Sequence, residues 1–251
     1  MSGHSKWATT KHHKAAVDAK RSKQFSKLSR IITVAAKTGG DPNPDNNAPL
    51  AAAIAKARSY SLPKDKIQSA IAKAFAAGAG ANYEEVTYEG YGSGGVAVLV
   101  LALTDNRNRT AADVRAAFTR AGGSLGATGS VVFQFERIGE IVVDKAAAPS
   151  EDDLLMAVME AGGQDMEEND EEFVIVTAPG DIVAVKKGLE DQGIDVMGAE
   201  LVMRPTTPMA VRVDTAKKVF RLVDNLEDSD DVQDVYHNME MTEELAAALD
   251  E

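Results

Sequence analysis

The sequence predicts an α+β protein: an N-terminal helical bundle followed by two ferredoxin-like α/β sandwich domains, one inserted into the other. Three observations carry that expectation. Apolar residues in the first 80 positions recur at helical spacing. Beyond residue 81 the period changes, and short β-type runs alternate with helical patterns. One stretch, 137–205, reads strand-helix-strand-strand-helix-strand, the ferredoxin-like order. The flanking segments 81–136 and 206–240 together supply the parts of a second sandwich, so 137–205 is expected as an insertion, followed by an acidic tail over 241–251. The matching helix endings Ala121-Gly122-Gly123 and Ala161-Gly162-Gly163 support two related units.

Residues 1–80 read as a basic helical domain. A first helix is expected over Asp18–Lys37, with Val17, Phe25, Leu28, Ile31, Ile32 and Ala35 on one face and Lys23, Lys27, Arg30 and Lys37 opposite. Arg21 falls nearer the apolar side. Gly39-Gly40-Asp41-Pro42-Asn43-Pro44 ends this helix. A second opens near Pro49 and carries Leu50, Ile54 and Ala57. A third opens at Ser61-Leu62-Pro63, with Ser61 as cap, and carries Ile67, Ala70, Ile71, Ala74 and Phe75.

In the flanking α/β domain, Val96–Leu103 reads as a strand, Thr110–Ala121 as a helix and Ser130–Phe135 as a strand. Ala210–Val213 (strand), Thr215–Asn225 (helix) and Val232–Asn238 (strand) complete it. In the insertion the expected series is Glu140–Val143, helix Glu151–Ala161, strands around Met166 and over Phe173–Thr177, helix Ile182–Gln192 and strand Glu200–Met203.

A length of 251 residues suits two or three modest domains, and 44% hydrophobic with 26% charged residues is ordinary for a globular chain. The absence of cysteine excludes disulfides, thiolate metal ligands and a cysteine nucleophile, and fits a reducing, cytoplasmic setting. The longest apolar run, Val96–Leu103, is far short of the roughly 20 residues that span a bilayer. No secretory apolar region opens the chain. No membrane partner is expected.

Charge is distributed unevenly. Through Gly80 there are 14 basic and 4 acidic residues, a net of +10; residues 81–251 hold 13 basic and 35 acidic, a net of −22. Such a chain presents one surface to a polyanion and holds the rest away from it. Lys6, Lys11, Lys14, Lys20, Arg21, Lys23, Lys27, Arg30 and Lys37, interleaved with Trp7 and His12, are the candidate nucleic-acid contacts. Lysine and arginine neutralise phosphates, and an aromatic ring can stack on a base. The alternative is a solvated basic face with a packed Trp7.

Other motifs fit chemistry less well. His12 and His13 are adjacent and, on a helix, point about 100° apart, a poor chelating pair. The glycines of Gly90–Gly95 precede a strand, with no Lys-Ser/Thr pair behind them, so they read as a tight β-connection and not a phosphate loop. Thr104-Asp105-Asn106-Arg107-Asn108-Arg109-Thr110 sits at a strand-to-helix junction with unpaired backbone N–H groups. Asp105, Asn106, Arg107 and Arg109 form a second-rank site for phosphate or a partner carboxylate. Equally, Asp105 and Asn108 cap the helix and the arginines are solvated. The acidic runs Glu167–Glu172 and Asp224–Asp234 raise a carboxylate–metal hydrolase, but the first reads as a solvated hairpin turn and no nucleophile–base pair accompanies it. These acids instead disfavour wrapping by nucleic acid, or meet a basic protein partner. No cofactor and no catalytic residue is expected.

Several of these segments resemble the YebC/PmpR family: Gly3-His4-Ser5-Lys6-Trp7-Ala8 with Lys11-His12, Leu62-Pro63-Lys64-Asp65-Lys66-Ile67 with Ala70-Ile71, Tyr88-Glu89-Gly90-Tyr91-Gly92, the Thr104–Thr110 heptapeptide, Gly122-Gly123 and Gly129-Ser130-Val131. The match runs over nearly the whole chain. Ser61-Leu62 departs from the Asn-Met often found there. The resemblance implies three domains around a cleft and a cytoplasmic, non-enzymatic regulator of gene expression. Bacterial members are assigned as DNA-binding transcriptional regulators. A mitochondrial relative is a translational activator, and some bacterial members look ribosome-associated, so DNA and ribosomal RNA both stand as the expected partner.

Overall fold

The computed structural model describes residues 17–76, 83–169, 171–242 and 245, with backbone alone for 17–21. The described chain falls into two compact units, one of 17–131 with 214–237 and one of 132–213 with 238 onward.

The first unit opens with three helices: α1 (Val17–Gly39), α2 (Ala48–Ser59) and α3 (Lys64–Phe75). Leu28, Ile32 and Ala36 of α1 bury against Leu50, Ile54 and Ala57 of α2 and Ile67, Ala70, Ile71 and Ala74 of α3, with Phe25, Ile31 and Ala35 half-covered. Gly40, at φ 70°, ends α1 by returning its N–H to the Ala36 carbonyl. The Asn47 side chain then joins the helices. It donates to Ala35 O (3.2 Å) and Asp41 O (2.9 Å), and caps α2 by accepting from Leu50 N–H at 3.1 Å. Two expectations fail here. Ser61 is not a cap: it lies at φ 57° and turns the chain, leaving Pro63 at the N-cap without a side-chain bond. Phe75, expected in the core, is exposed in the last turn.

The same unit carries a sheet of order β3-β1-β2-β8, all pairs antiparallel, from β1 (Glu84–Tyr91), β2 (Ala97–Thr104), β3 (Ser124–Leu125) and β8 (Val232–His237). Its helices are α4 (Arg107–Arg120) and α7 (Val213–Glu227). β1 and β2 form a hairpin whose turn uses Gly94 (φ 73°) and Gly95 (φ 83°), the tight connection expected of those glycines. Gly90 has no room for a side chain: an added Cβ would lie 2.6 Å from the Phe118 ring and 2.7 Å from the Ser124 carbonyl. Glu89, 3% exposed, accepts from the N–H groups of Gly129 (2.6 Å) and Val131 (2.8 Å) and so fixes that glycine-rich loop.

The second unit contains β4 (Phe135–Asp144), α5 (Glu151–Ala161), β5 (Asp165–Glu168), β6 (Glu172–Thr177), α6 (Ile182–Asp191) and β7 (Val196–Pro205). The antiparallel order β5-β6-β4-β7 is ferredoxin-like, as expected. Alternation puts Ile141, Val143, Phe173 and Ile175 on one face, against Leu154 and Val158 of α5 and Val185 and Leu189 of α6. The other face carries Val142 and Val174 with Glu140, which is 5% exposed and sits opposite Glu200 across β4 and β7.

Two expected strands are absent. Val132–Gln134, inside the Ser130–Phe135 expectation, is a single 3-10 turn, with Phe133 69% exposed. Across Ala210–Val213 the chain forms no ladder; Met209 makes an isolated bridge to Met239, and Val213 already begins α7. Among the described residues no helix is long and apolar enough to cross a membrane.

Candidate nucleic-acid interface

The basic residues of the first unit divide into an inward and an outward set. Of the expected contacts, Lys6, Trp7, Lys11, His12 and Lys14 lie outside the described residues; Lys20 and Arg21 lie on α1, where only the backbone is described. The side chains of Lys23, Lys27, Arg30 and Lys37 are described, and three of the four are turned to the chain itself.

Lys23 Nζ meets the Asp228 carboxylate at 2.7 Å. Lys27, only 7% exposed, donates to Glu227 O at 2.7 Å. Arg30 donates to the Asp231 carboxylate (2.8 Å) and to the carbonyls of Asp230 (2.8 Å) and Leu103 (3.2 Å), and its guanidinium lies 5.0 Å from the Tyr83 ring centroid. The face of α1 expected opposite its apolar stripe is therefore packed, and Lys27, Arg30 and their carbonyl acceptors make a polar seam. Helical spacing distinguishes apolar from basic positions but does not reveal a distant acidic loop that accepts the basic ones. Of the acids within Asp224–Asp234, expected to disfavour wrapping by nucleic acid or to meet a basic protein, Asp228 and Asp231 meet the basic helix of their own chain.

Asp231 is the centre of this seam. Its side chain is 8% exposed. Besides Arg30 it accepts from Arg109 Nη2 at 2.6 Å and from the Thr110 hydroxyl at 2.8 Å, with the buried Thr104 hydroxyl 3.3 Å away. Burial pushes the Asp231 carboxyl up, but the bonds from Arg109, Thr110 and Arg30 outweigh it and hold the group below its ordinary value. The same bond to Asp231, with that to Asp105, holds Arg109 above its ordinary value.

This geometry accounts for most of the second-rank site. Asn106, not Asp105 or Asn108, is the cap of α4, accepting from Arg109 N–H at 3.1 Å. Asp105 pairs with the Arg109 guanidinium at 2.9 Å. Thr104 accepts from Asn106 N–H at 2.9 Å and so shapes the turn. Arg107 is the more exposed arginine, 64% against 49% for Arg109, and lies 3.5 Å from Glu84. Burial raises the Tyr88 phenol beside it, with Arg107 opposing the shift. An adjoining cavity of about 730 Å³ is lined by Arg30, Arg109 and Arg120 but also by five aspartates, among them Asp113 and Asp230, a poor match to phosphate.

The outward set lies on α3 and the end of α2. Lys64, Lys66 and Lys73, with Gln68 and Ser69, are all exposed on the side of α3 away from Ile67, Ala70, Ile71 and Ala74. Arg58 is exposed at the end of α2 and Lys37 at the end of α1. Asp65 is the one carboxylate on α3. The sequence itself offers Lys64, Lys66, Gln68 and Lys73 on this helix as a set suited to phosphates, while charge density alone favours the larger cluster over 6–37.

The acidic hairpin of the second unit is engaged in local pairs. Glu167 meets Arg204, and Glu168 meets Lys145. Among the described residues no group of three or more histidine or acidic side chains is placed to hold a metal ion.

A family model described as the TACO1/YebC protein N-terminal domain matches residues 5–77, and one described as the TACO1/YebC second and third domain matches 83–239. The chain belongs to the TACO1/YebC family. A TACO1/YebC relative from Enterococcus faecalis is 54% identical over 96% of this chain and 99% of its own, and one from Beutenbergia cavernae is 52% identical over the full length of both; each is named a probable transcriptional regulatory protein. The crystal structure of a conserved hypothetical protein from Aquifex aeolicus is similar with a TM-score of 0.84 and 45% identity, covering 95% of this chain and 98% of that one.

Proposed function

We propose that this TACO1/YebC protein is a cytoplasmic, non-enzymatic regulator of gene expression that binds nucleic acid through its helical bundle. The observation that carries the reading is the outward face of α3, where Lys64, Lys66 and Lys73 stand exposed on a chain whose net charge is −12. The basic opening segment, with Lys6, Trp7, Lys11, His12, Lys14, Lys20 and Arg21, joins Lys37 and this face in the contact. Lys23, Lys27 and Arg30 act by holding α1 to the α/β part of the unit, and Arg109 with Asp105 and Asn106 by building the junction; Arg107 makes no bond to Asp231. The names of the relatives support transcriptional regulation.

Three exposed lysines against a single Gln68 on α3 support contact with the phosphate backbone over a base code. That chemistry favours a second reading equally well, a translation factor contacting ribosomal RNA. Titration of random-sequence duplex DNA and of structured RNA at several salt concentrations tests the binding. Affinity should fall steeply with salt, and Lys64→Glu/Lys66→Glu/Lys73→Glu should reduce the duplex salt slope by about three. An unchanged slope would remove α3 from the interface. Crosslinking in growing cells then separates the readings: ribosomal RNA from one region supports translation, discrete promoter DNA supports transcription.

A further inference from the structure

We propose that the outer face of α5 is a docking surface for a basic, amphipathic helical segment of a partner protein. The inner face of this helix is fully used: Leu154, Ala157 and Val158 are buried in the core of the second unit. Its outer face carries an apolar stripe among acids. Leu155 is 41% exposed, Met156 58% and Met159 69%. Their i, i+1, i+4 spacing sets them on one stripe, with Met159 one turn beyond Leu155. Scattered exposed apolar residues need no explanation. Three on an eleven-residue helix form a patch of the kind that marks an interaction site, and methionine adapts to varied partners.

The rim decides the occupant. Glu151, Asp152, Asp153 and Glu160 are all exposed around the stripe. The three acids of the first turn serve the helix locally by complementing its dipole. Glu160 does not: it lies in the last turn, where a carboxylate opposes the dipole, and no basic residue stands there. The surrounding segment, 137–205, holds 17 acidic and 5 basic residues. This excess disfavours nucleic acid and anionic lipid at the stripe, and disfavours a second copy of the same face, since acidic rims would meet. It matches a segment with apolar side chains on one face and lysine or arginine at its borders.

The test uses the full chain and a fluorescein-labelled, 14-residue amphipathic peptide of leucine and lysine, followed by anisotropy at two salt concentrations. Saturable binding is expected, at least tenfold weaker in Met156→Ser/Met159→Ser, a variant of unchanged net charge. Asp152→Lys/Glu160→Lys should weaken it by a similar factor, while Met197→Ser, at an exposed methionine of β7, should not. Equal binding by the Met156/Met159 variant would reduce the interaction to general acidic attraction and overturn the proposal. So would a concentration-dependent dimer of the free protein that the same variant abolishes, because a second copy would then be the occupant.

Discussion

Arg30 and Asp231, 201 residues apart in the chain, meet at 2.8 Å and tie the helical bundle to the α/β part of its unit. The contact converts what reads as surface charge into internal structure. Asp231 also serves Arg109 and Thr110, so one carboxylate supports both the long helix α1 and the start of α4.

Removing that carboxylate should therefore be costly. Asp231→Asn is expected to lose about 2 to 4 kcal/mol, below the full figure for a buried pair because Arg109 is partly solvated. Asp228→Asn, which breaks the more exposed Lys23 pair, should cost under about 1 kcal/mol. Urea denaturation compares the two. Since the Asp231 carboxyl lies below its ordinary value, its contribution is present above the unfolded value and is lost as pH falls through the folded one. The difference between wild type and Asp231→Asn should accordingly shrink on strong acidification.

The triple change Lys23→Glu/Lys27→Glu/Arg30→Glu should lower stability before it touches nucleic-acid affinity. It places three carboxylates against Asp228, Asp231 and the carbonyls of Leu103, Glu227 and Asp230. A lower melting temperature with α1 amides exchanging faster is the expected result. A fully stable variant with binding abolished would return these residues to the interface.

Much of this architecture is legible in the sequence, and its gaps have physical reasons. The ferredoxin-like series of the second unit follows from period changes and turn residues, and Glu151–Ala161 appears with the expected ends. β1, Glu84–Tyr91, is not announced because three glutamates and Gly90 dilute its alternation; pairing with β2 is what makes it a strand. Val131-Val132-Phe133 looks like a strand, yet Val131 is tied to Glu89 and the chain turns. The inward role of Lys27 and Arg30 depends on a loop some 200 residues away, beyond what local spacing encodes.

Gly90 offers a test of packing alone. Gly90→Ala brings a methyl group against the Phe118 ring and the Ser124 carbonyl, and the backbone oxygen cannot step aside as a flexible side chain would. The expected loss is about 1 to 3 kcal/mol. A neutral result in thermal denaturation would mean that the β1–β3 pairing relaxes freely.

Glu140 makes the protein sensitive to alkali. Burial, then the neighbouring charge of Glu200, push its carboxyl up to about 8 from the ordinary 4.5; Arg204 opposes the shift, and Glu167 and Glu172 add to it. Glu140 therefore holds a proton in the folded state at neutral pH, while the unfolded chain has released it. A raised value means that the stabilisation is complete below the unfolded value, declines as pH rises between about 4.5 and about 8, and is gone above it. The decline contributed by this one group is at most about 1.4 kcal/mol per pH unit. Glu140→Gln keeps the shape and the neutral charge state, so its stability should vary less with pH across that window and exceed wild type above pH 8. Urea midpoints at pH 6, 7, 8 and 9 measure the effect, and parallel profiles for the two proteins would show that Glu140 is ionised in the folded state.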